Sequence, residues 1–337
     1  MIEAPSPYGP PPSAATASPV VAAVLSLLMP GLGHIYARRT LRGLAWLGVP
    51  PLVFGPVFVI SMHMGAKPFL VFVAIGLLAA LGLRIAVIFD TAWTIRRHPE
   101  PPAPIATTVL AAAFILAASG AVSPALRRFV VEAEKMPSAS MVPTLVIGDH
   151  VFVDKLRSPG RGDLLVFPFP EHPAQDFLKR VVGMPGDRLE FRDGHPIING
   201  VEVPSCLVGQ ASYGGDAPSG RHEGKVYLER LGGHAHLAFY DETSGYRPSH
   251  QGPYVVKADE VFIIGDNRWN SHDSRMWWQG QGGGVSIATV KGIPFVVWLS
   301  DDERGTDWSR TGLDLGLPHL PSSMADLQPA LDACLAK

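Results

Sequence analysis

The sequence predicts a multi-span α-helical membrane region followed by a mainly-β domain, and three observations predict it. The charges are unevenly spread: residues 1–128 hold nine Lys/Arg and three acidic residues, net +6, while the rest holds nineteen and twenty-seven, net −8. Apolar runs of membrane-crossing length fill the first part of a 337-residue chain that is 47% apolar and only 17% charged. Beyond residue 129 the texture changes to short β-prone runs punctuated by Gly, Pro and Asp. Few carboxylates with arginines clustered between apolar runs exclude a cytosolic single-domain enzyme. The acidic second half would repel phosphate, which argues against a nucleic-acid partner.

Residues 1–19 are rich in Pro, Ser and Ala with little to bury, and a disordered tail is expected there. No basic stretch precedes the first apolar run, so no cleavable signal peptide is expected. Four apolar stretches follow, at 20–37, 43–62, 68–89 and 105–125, within a membrane region of three to four helices over 20–128. The first contains Pro30, Gly31, Gly33 and His34 and is equally readable as a re-entrant or interfacial hairpin. Arg38, Arg39 and Arg42 flank one loop and Arg96 and Arg97 another, against Lys67 alone in the loop between. The Arg-rich loops are therefore expected in the cytoplasm and everything after residue 128 on the far side, with Arg127 and Arg128 a mild contrary signal. Arg84 and Asp90 lie in one apolar stretch and are expected to snorkel to the interface more than to pair.

Nine runs of strand length then follow between residues 129 and 300: FVVEAEK, DHVFVDKL, DLLVFPF, DFLKRVVGM, DRLEF, KVYLERL, HLAFY, EVFIIGD and GIPFVVWL. They define a mainly-β domain over 129–300 with a polar, Gly-rich insertion at about 205–224 and an irregular C-terminal tail over 301–337. Cys206 and Cys334 either pair in an oxidising compartment or stay free.

Chemistry concentrates in three segments. In Pro137-Ser138-Ala139-Ser140-Met141-Val142-Pro143-Thr144-Leu145 the prolines forbid a regular helix or central strand, so the serines sit on a fixed turn, as a nucleophile requires. In Asp176-Phe177-Leu178-Lys179-Arg180-Val181, strand alternation sends Lys179 and Arg180 to opposite faces. A lysine in apolar surroundings loses basicity, and a drop of about two to three pH units suits it to general-base work. In Gly265-Asp266-Asn267-Arg268-Trp269-Asn270-Ser271-His272-Asp273-Ser274-Arg275, polar groups crowd behind the apolar strand EVFII and can orient a catalytic amine. Each segment alone also reads as an ordinary loop or surface strand.

Together and in this order after a membrane region, PSASMVPTL, KRVVGMPGD and GDNRWNSHDSR, with GDHVFVDK between the first two, resemble the boxes of type I signal peptidases. These are membrane-bound Ser/Lys proteases that remove signal peptides from exported preproteins. The resemblance covers residues 129–300 and implies a signal-peptidase-like β fold. It implies Ser140 as nucleophile, Lys179 as general base and Ser138 as oxyanion donor with the Ser140 backbone N–H. Ser271 matches the serine that holds the lysine amine, and Asp273 with Arg275 matches a supporting ion pair; Arg180 follows the base as a further supporting residue. It implies no cofactor or metal, and as partners secreted preproteins cut after small residues at −1 and −3, the lipid bilayer and the secretion translocon. Trp269 stands where the family usually has an acid. The first 105 residues exceed the one or two anchors usual in the family, and MPGLGHIY looks like the start of small two-helix membrane modules. A peptidase specialised for a conjugative pilin and a catalytically silent membrane-anchored binding module are the alternatives; soluble self-cleaving repressors with a Ser/Lys dyad do not fit the apolar spans.

Two further features are weighed against structural roles. His234 and His236 share a strand face but lack a third metal ligand, so an exposed strand or hairpin is expected. The Met276-Trp277-Trp278 run suits either an interface with lipid headgroups or core packing.

Overall fold

A computed structural model describes residues 15–214, 220–302 and 305–337. Residues 1–14, most of the expected Pro-rich tail, and 215–219, within the expected insertion, lie outside the described residues. The chain forms two compact units, one helical and one dominated by β-structure.

The helical unit opens with α1 (Pro19–Leu28), capped by the Ser18 hydroxyl, which accepts from the Val21 N–H, and started by a proline at the first helical position. Pro30 and Gly31 end it, Gly31 at φ +86°, and α2 (Leu32–Tyr36) follows. The crossing considered for 20–37 is thus replaced by two short helices; ten residues of α1 rise only about 15 Å, half the hydrocarbon thickness. Among the described residues three helices are long and apolar enough to cross a membrane: α3 (Thr40–His63), α4 (Ala66–Arg97) and α5 (Ile105–Phe129). Their large apolar side chains, Leu77, Leu78 and Phe114 among them, point outward, whereas Ser26, His34 and Thr91 are buried. Arg84 does not meet Asp90: it donates to the Leu27 carbonyl at 2.9 Å. Asp90 instead accepts from Arg42, from Trp46 Nε1 at 2.8 Å and faces His34 Nε2 at 3.0 Å.

Among the described residues the β unit contains four antiparallel sheets. The first orders β1 (Val131–Lys135), β2 (Asp149–Asp154), β14 (Ile293–Asp302) and β15 (Gly305–Thr306). The second places β12 (Glu260–Ile264) between β13 (Val285–Ser286) and β4 (His172–Gly183), with β3 (Leu164–Phe169) outside β4. The third runs β11 (His250–Val255), β5 (Arg188–Arg192), β6 (His195–Ile198), β7 (Val201–Glu202). All nine runs read from the sequence contribute strands.

Two segments outside the nine runs are ordered. The described residues of the insertion at 205–224 are not irregular: β8 (Ser205–Gly214) and β9 (Arg221–Leu231) pair with each other, and β10 (His234–Asp241) completes a three-stranded sheet. Small and polar residues alternate in β8 and hide its period, but Val208 and Tyr213 are buried in the core. The segment over 301–337 is not an irregular tail either. It ends in a helix, Gln328–Leu335, whose Leu331 and Cys334 join Ala139, Val142, Leu228 and Phe239 in one apolar cluster. Cys334 is disulfide-bonded to Cys206 of β8.

Candidate active site

The segment between β1 and β2 carries Ser138 and Ser140. Its residues Ala139–Met141 form a single 3-10 turn flanked by the two prolines. Met141 and Leu145 are fully buried on either side of Pro143, each anchor contributing about 2–3 kcal/mol. The backbone is also tied to the loop after β12. The Asn267 N–H donates to the Ser140 carbonyl at 3.1 Å, its side-chain amide donates to the Ala139 carbonyl at 3.1 Å, and the Thr144 hydroxyl donates to Asp266 Oδ2 at 2.5 Å. Ser140 therefore has a fixed backbone, with its residue 8% exposed.

Lys179 lies in the buried half of β4, whose neighbours on either side are β3 and β12. Its cross-strand partner is Leu165, also buried. Because both faces of this sheet are covered, Lys179 (4% exposed) and Arg180 are both buried, and alternation separates their partners without bringing either to water. Lys179 Nζ stands 2.7 Å from Ser140 Oγ and donates to the Leu178 carbonyl at 3.0 Å. Burial pulls its pKa down to about 8; Asp273 and Asp266 oppose this from a distance, and neither forms an ion pair with the amine.

Arg180 takes the charge of Asp266 away from the amine. Its Nε and Nη2 donate to the two Asp266 oxygens at 2.7 Å each, and Nη1 donates to the Gly162 carbonyl at 2.7 Å. Asp273 is held in the same bidentate manner by Arg275, at 2.9 and 2.8 Å, and accepts the Gly265 N–H at 2.9 Å. Burial pushes both carboxyls up, but the adjacent guanidinium wins in each and leaves them below the usual carboxylate range. The Asp273–Arg275 pair expected from the motif is present.

Ser138 Oγ lies 3.2 Å from Ser140 Oγ, on the same turn. The Ser271 hydroxyl is buried beside the site, lies near Asp273, and is not hydrogen-bonded to Lys179. It packs over Gly265, where a Cβ would sit 2.3 Å from Ser271 Oγ and 2.6 Å from the Ser140 carbonyl oxygen. Only glycine lets these two segments approach so closely.

Sequence reasoning missed Asn267, Asp266 and Thr144 as the ties on the serine turn, although two of them sit inside the GDNR motif. It also missed Glu229 of β9, which binds Arg268 through both guanidinium arms and accepts from the Tyr240 hydroxyl at 2.7 Å. The ring of Trp269, where the family has an acid, lies against Gly194. His236 is buried, 3.3 Å from Glu229, while His234 is exposed, so the pair does not share an exposed hairpin. Among the described residues no group of three His, Cys, Asp or Glu side chains is arranged to hold a metal ion. Trp277 is core and Trp278 is exposed.

Comparison with known proteins points to one family. A family model described as "Signal peptidase, peptidase S26" matches residues 106–299, more than half of the chain. Signal peptidase I of Pseudomonas fluorescens is 35% identical over 214 residues, covering 56% of this chain and 73% of that protein. Signal peptidase I of Aquifex aeolicus is 31% identical over 207 residues, covering 52% and 78%. A crystal structure of a signal peptidase I from Enterococcus faecalis is 27% identical and covers 41% of this chain and 97% of that one, with a TM-score of 0.24. The apposed serine and lysine thus lie inside a matched region that is longer than the β motifs alone, and the chain belongs to the S26 family of signal peptidases, a serine peptidase with apolar helices ahead of its mainly-β domain.

Proposed function

We propose that this chain cleaves signal peptides from exported preproteins with Ser140 as nucleophile and Lys179 as general base. The observation that carries the reading is a buried lysine amine, weakened as a base to about 8 and 2.7 Å from a serine hydroxyl on a fixed turn. In its neutral form the amine takes the Ser140 proton as Oγ attacks the scissile carbonyl. The Ser138 hydroxyl and the Ser140 backbone N–H stabilise the oxyanion. Protonated Lys179 then returns the proton to the leaving amine, and a water deprotonated by the same lysine hydrolyses the acyl-enzyme. Substrates present small residues at −1 and −3.

The basic loops support an orientation with the β unit outside the cytoplasm, in a cell membrane crossed more than once. The Cys206–Cys334 bond supports the same side, since disulfides persist in oxidising compartments.

The decisive experiment is cleavage of a model preprotein ending in Ala-x-Ala by the purified protein, with the cut read by mass spectrometry. Ser140→Ala and Lys179→Ala are each expected to lower kcat by about 10⁴-fold or more. Ser138→Ala is expected to lower kcat by about 10²-fold with little change in KM. Activity retained in Ser140→Ala or Lys179→Ala rejects the dyad.

A further inference from the structure

In the segment after β14, one buried polar side chain reaches the nucleophile-bearing turn: Arg310. Arg310, at the end of the 3-10 turn Trp308–Arg310, is 3% exposed. Its Nε and Nη2 donate to the two oxygens of Asp149 at 2.8 and 2.6 Å, and Nη2 also donates to the Thr144 carbonyl at 3.2 Å. Asp149 in turn accepts the Val146 N–H at 2.9 Å. Thr144 is thereby gripped twice, by its hydroxyl from Asp266 and by its carbonyl from Arg310. Asn267 holds the other end of the turn at Ala139 and Ser140.

The segment that carries Arg310 is itself anchored. Met324, Leu331 and Cys334 pack in the cluster that contains Ala139 and Val142, the neighbours of Ser140 on that turn, and Cys334 is bonded to Cys206. A buried ion pair is poor evidence of added stability, because its desolvation offsets its attraction. A bidentate guanidinium that also binds a backbone carbonyl does fix geometry.

We propose that Arg310 is a positioning residue for the nucleophile: by clamping Thr144 and Asp149 it sets the place of the Ser140 turn relative to Lys179. This rests on the Ser140/Lys179 reading above. A displacement of about 1 Å in such a site is enough to slow chemistry by about 10²-fold. Lysine keeps the charge opposite Asp149 but cannot make the fork and the carbonyl contact together.

The test is steady-state cleavage of the model preprotein by Arg310→Ala and Arg310→Lys, with kcat referred to folded protein. Arg310→Ala is expected to lower kcat by about 10- to 100-fold, with KM within about twofold and the rise of the pH profile towards pH 8 unmoved. Arg310→Lys is expected to recover part of the loss. Wild-type kcat in folded Arg310→Ala, or a change confined to KM, overturns the proposal. If Arg310→Ala does not fold, the neutral pair Arg310→Gln with Asp149→Asn takes its place, and wild-type kcat there overturns it equally. Ser140→Ala in the same series separates the two ideas: if it stays active the dyad is wrong, whereas if it is dead and Arg310→Ala is normal only the clamp is wrong.

Discussion

The polar cluster around Asp90 in the helical unit and the pocket around Lys179 in the β unit treat a secluded charge in opposite ways. Asp90 is surrounded by donors: Arg42, Trp46 and His34 all reach it, and His34 is tied onward to Thr91 at 3.0 Å and Thr91 to Ser26 at 2.8 Å. Lys179 is surrounded by carboxylates that are already taken. Asp266 belongs to Arg180 and Asp273 to Arg275, so the hydrogen-bond partners of the amine are a hydroxyl and a carbonyl, with the Phe177 ring 5.1 Å away. A matched charge holds segments together. An unmatched amine gives up its proton readily, which is what a base needs near neutral pH.

The largest effect that sharpens this contrast is on the pH profile. With a lysine pKa of about 8, the fraction of neutral amine rises about tenfold per pH unit below that point, so kcat/KM is expected to climb about 500-fold from pH 5 to 8 and then level off. A flat profile across this range would break the comparison at its centre.

Next in size is a pair of opposite stability changes. Unfolded Lys179 titrates near 10.5 and folded Lys179 near 8, so between these values the unfolded chain binds more protons and stability rises with pH. Below 8 the buried amine disfavours the fold by about 3 kcal/mol. Lys179→Met is therefore expected to stabilise the protein by about 3 kcal/mol at pH 7 in denaturant unfolding, with the gain vanishing above pH 10.5. The neighbouring Arg180→Met is expected to destabilise by about 3–5 kcal/mol, because it leaves Asp266 charged, buried and unpaired. Two adjacent basic residues thus change stability with opposite signs; the same sign for both would mean that the amine is as well matched as the guanidinium.

The smallest effect belongs to the helical unit. Asp90→Asn is expected to lower its stability in detergent micelles by about 1–3 kcal/mol while leaving kcat within about twofold, read by thermal unfolding at 222 nm and by cleavage. A large loss of activity would show that this cluster does more than fasten helices.

The strands were legible because each of the nine runs concentrates β-branched and aromatic residues between turn formers, and that signal is local. The apposition of Ser140 and Lys179 was legible because each sits in a distinctive segment. What escaped was either patternless or distant. β8 reads as a polar insertion because Gly209, Gln210, Ala211 and Ser212 blur its alternation. Arg310 finds Asp149 161 residues earlier, and Arg268 finds Glu229 on a strand that the sequence leaves unconnected to the motif. The break between α1 and α2 was visible as Pro30 and Gly31, but composition alone did not choose between a crossing and a hairpin. Ser271 shows the converse: its position in the motif was clear, its hydrogen bonding was not.

The Cys206–Cys334 bond joins residues 128 apart and so closes a covalent ring around most of the β unit's second half. The GDNR loop and Arg310 lie within that ring; Ser140 and Lys179 lie outside it. A single backbone break anywhere between the two cysteines therefore leaves both pieces on one molecule, with Asn267, Asp266 and Arg310, which hold the Ser140 turn, still tethered to it. The ring converts a cut that would shed these supports into one that merely opens a loop.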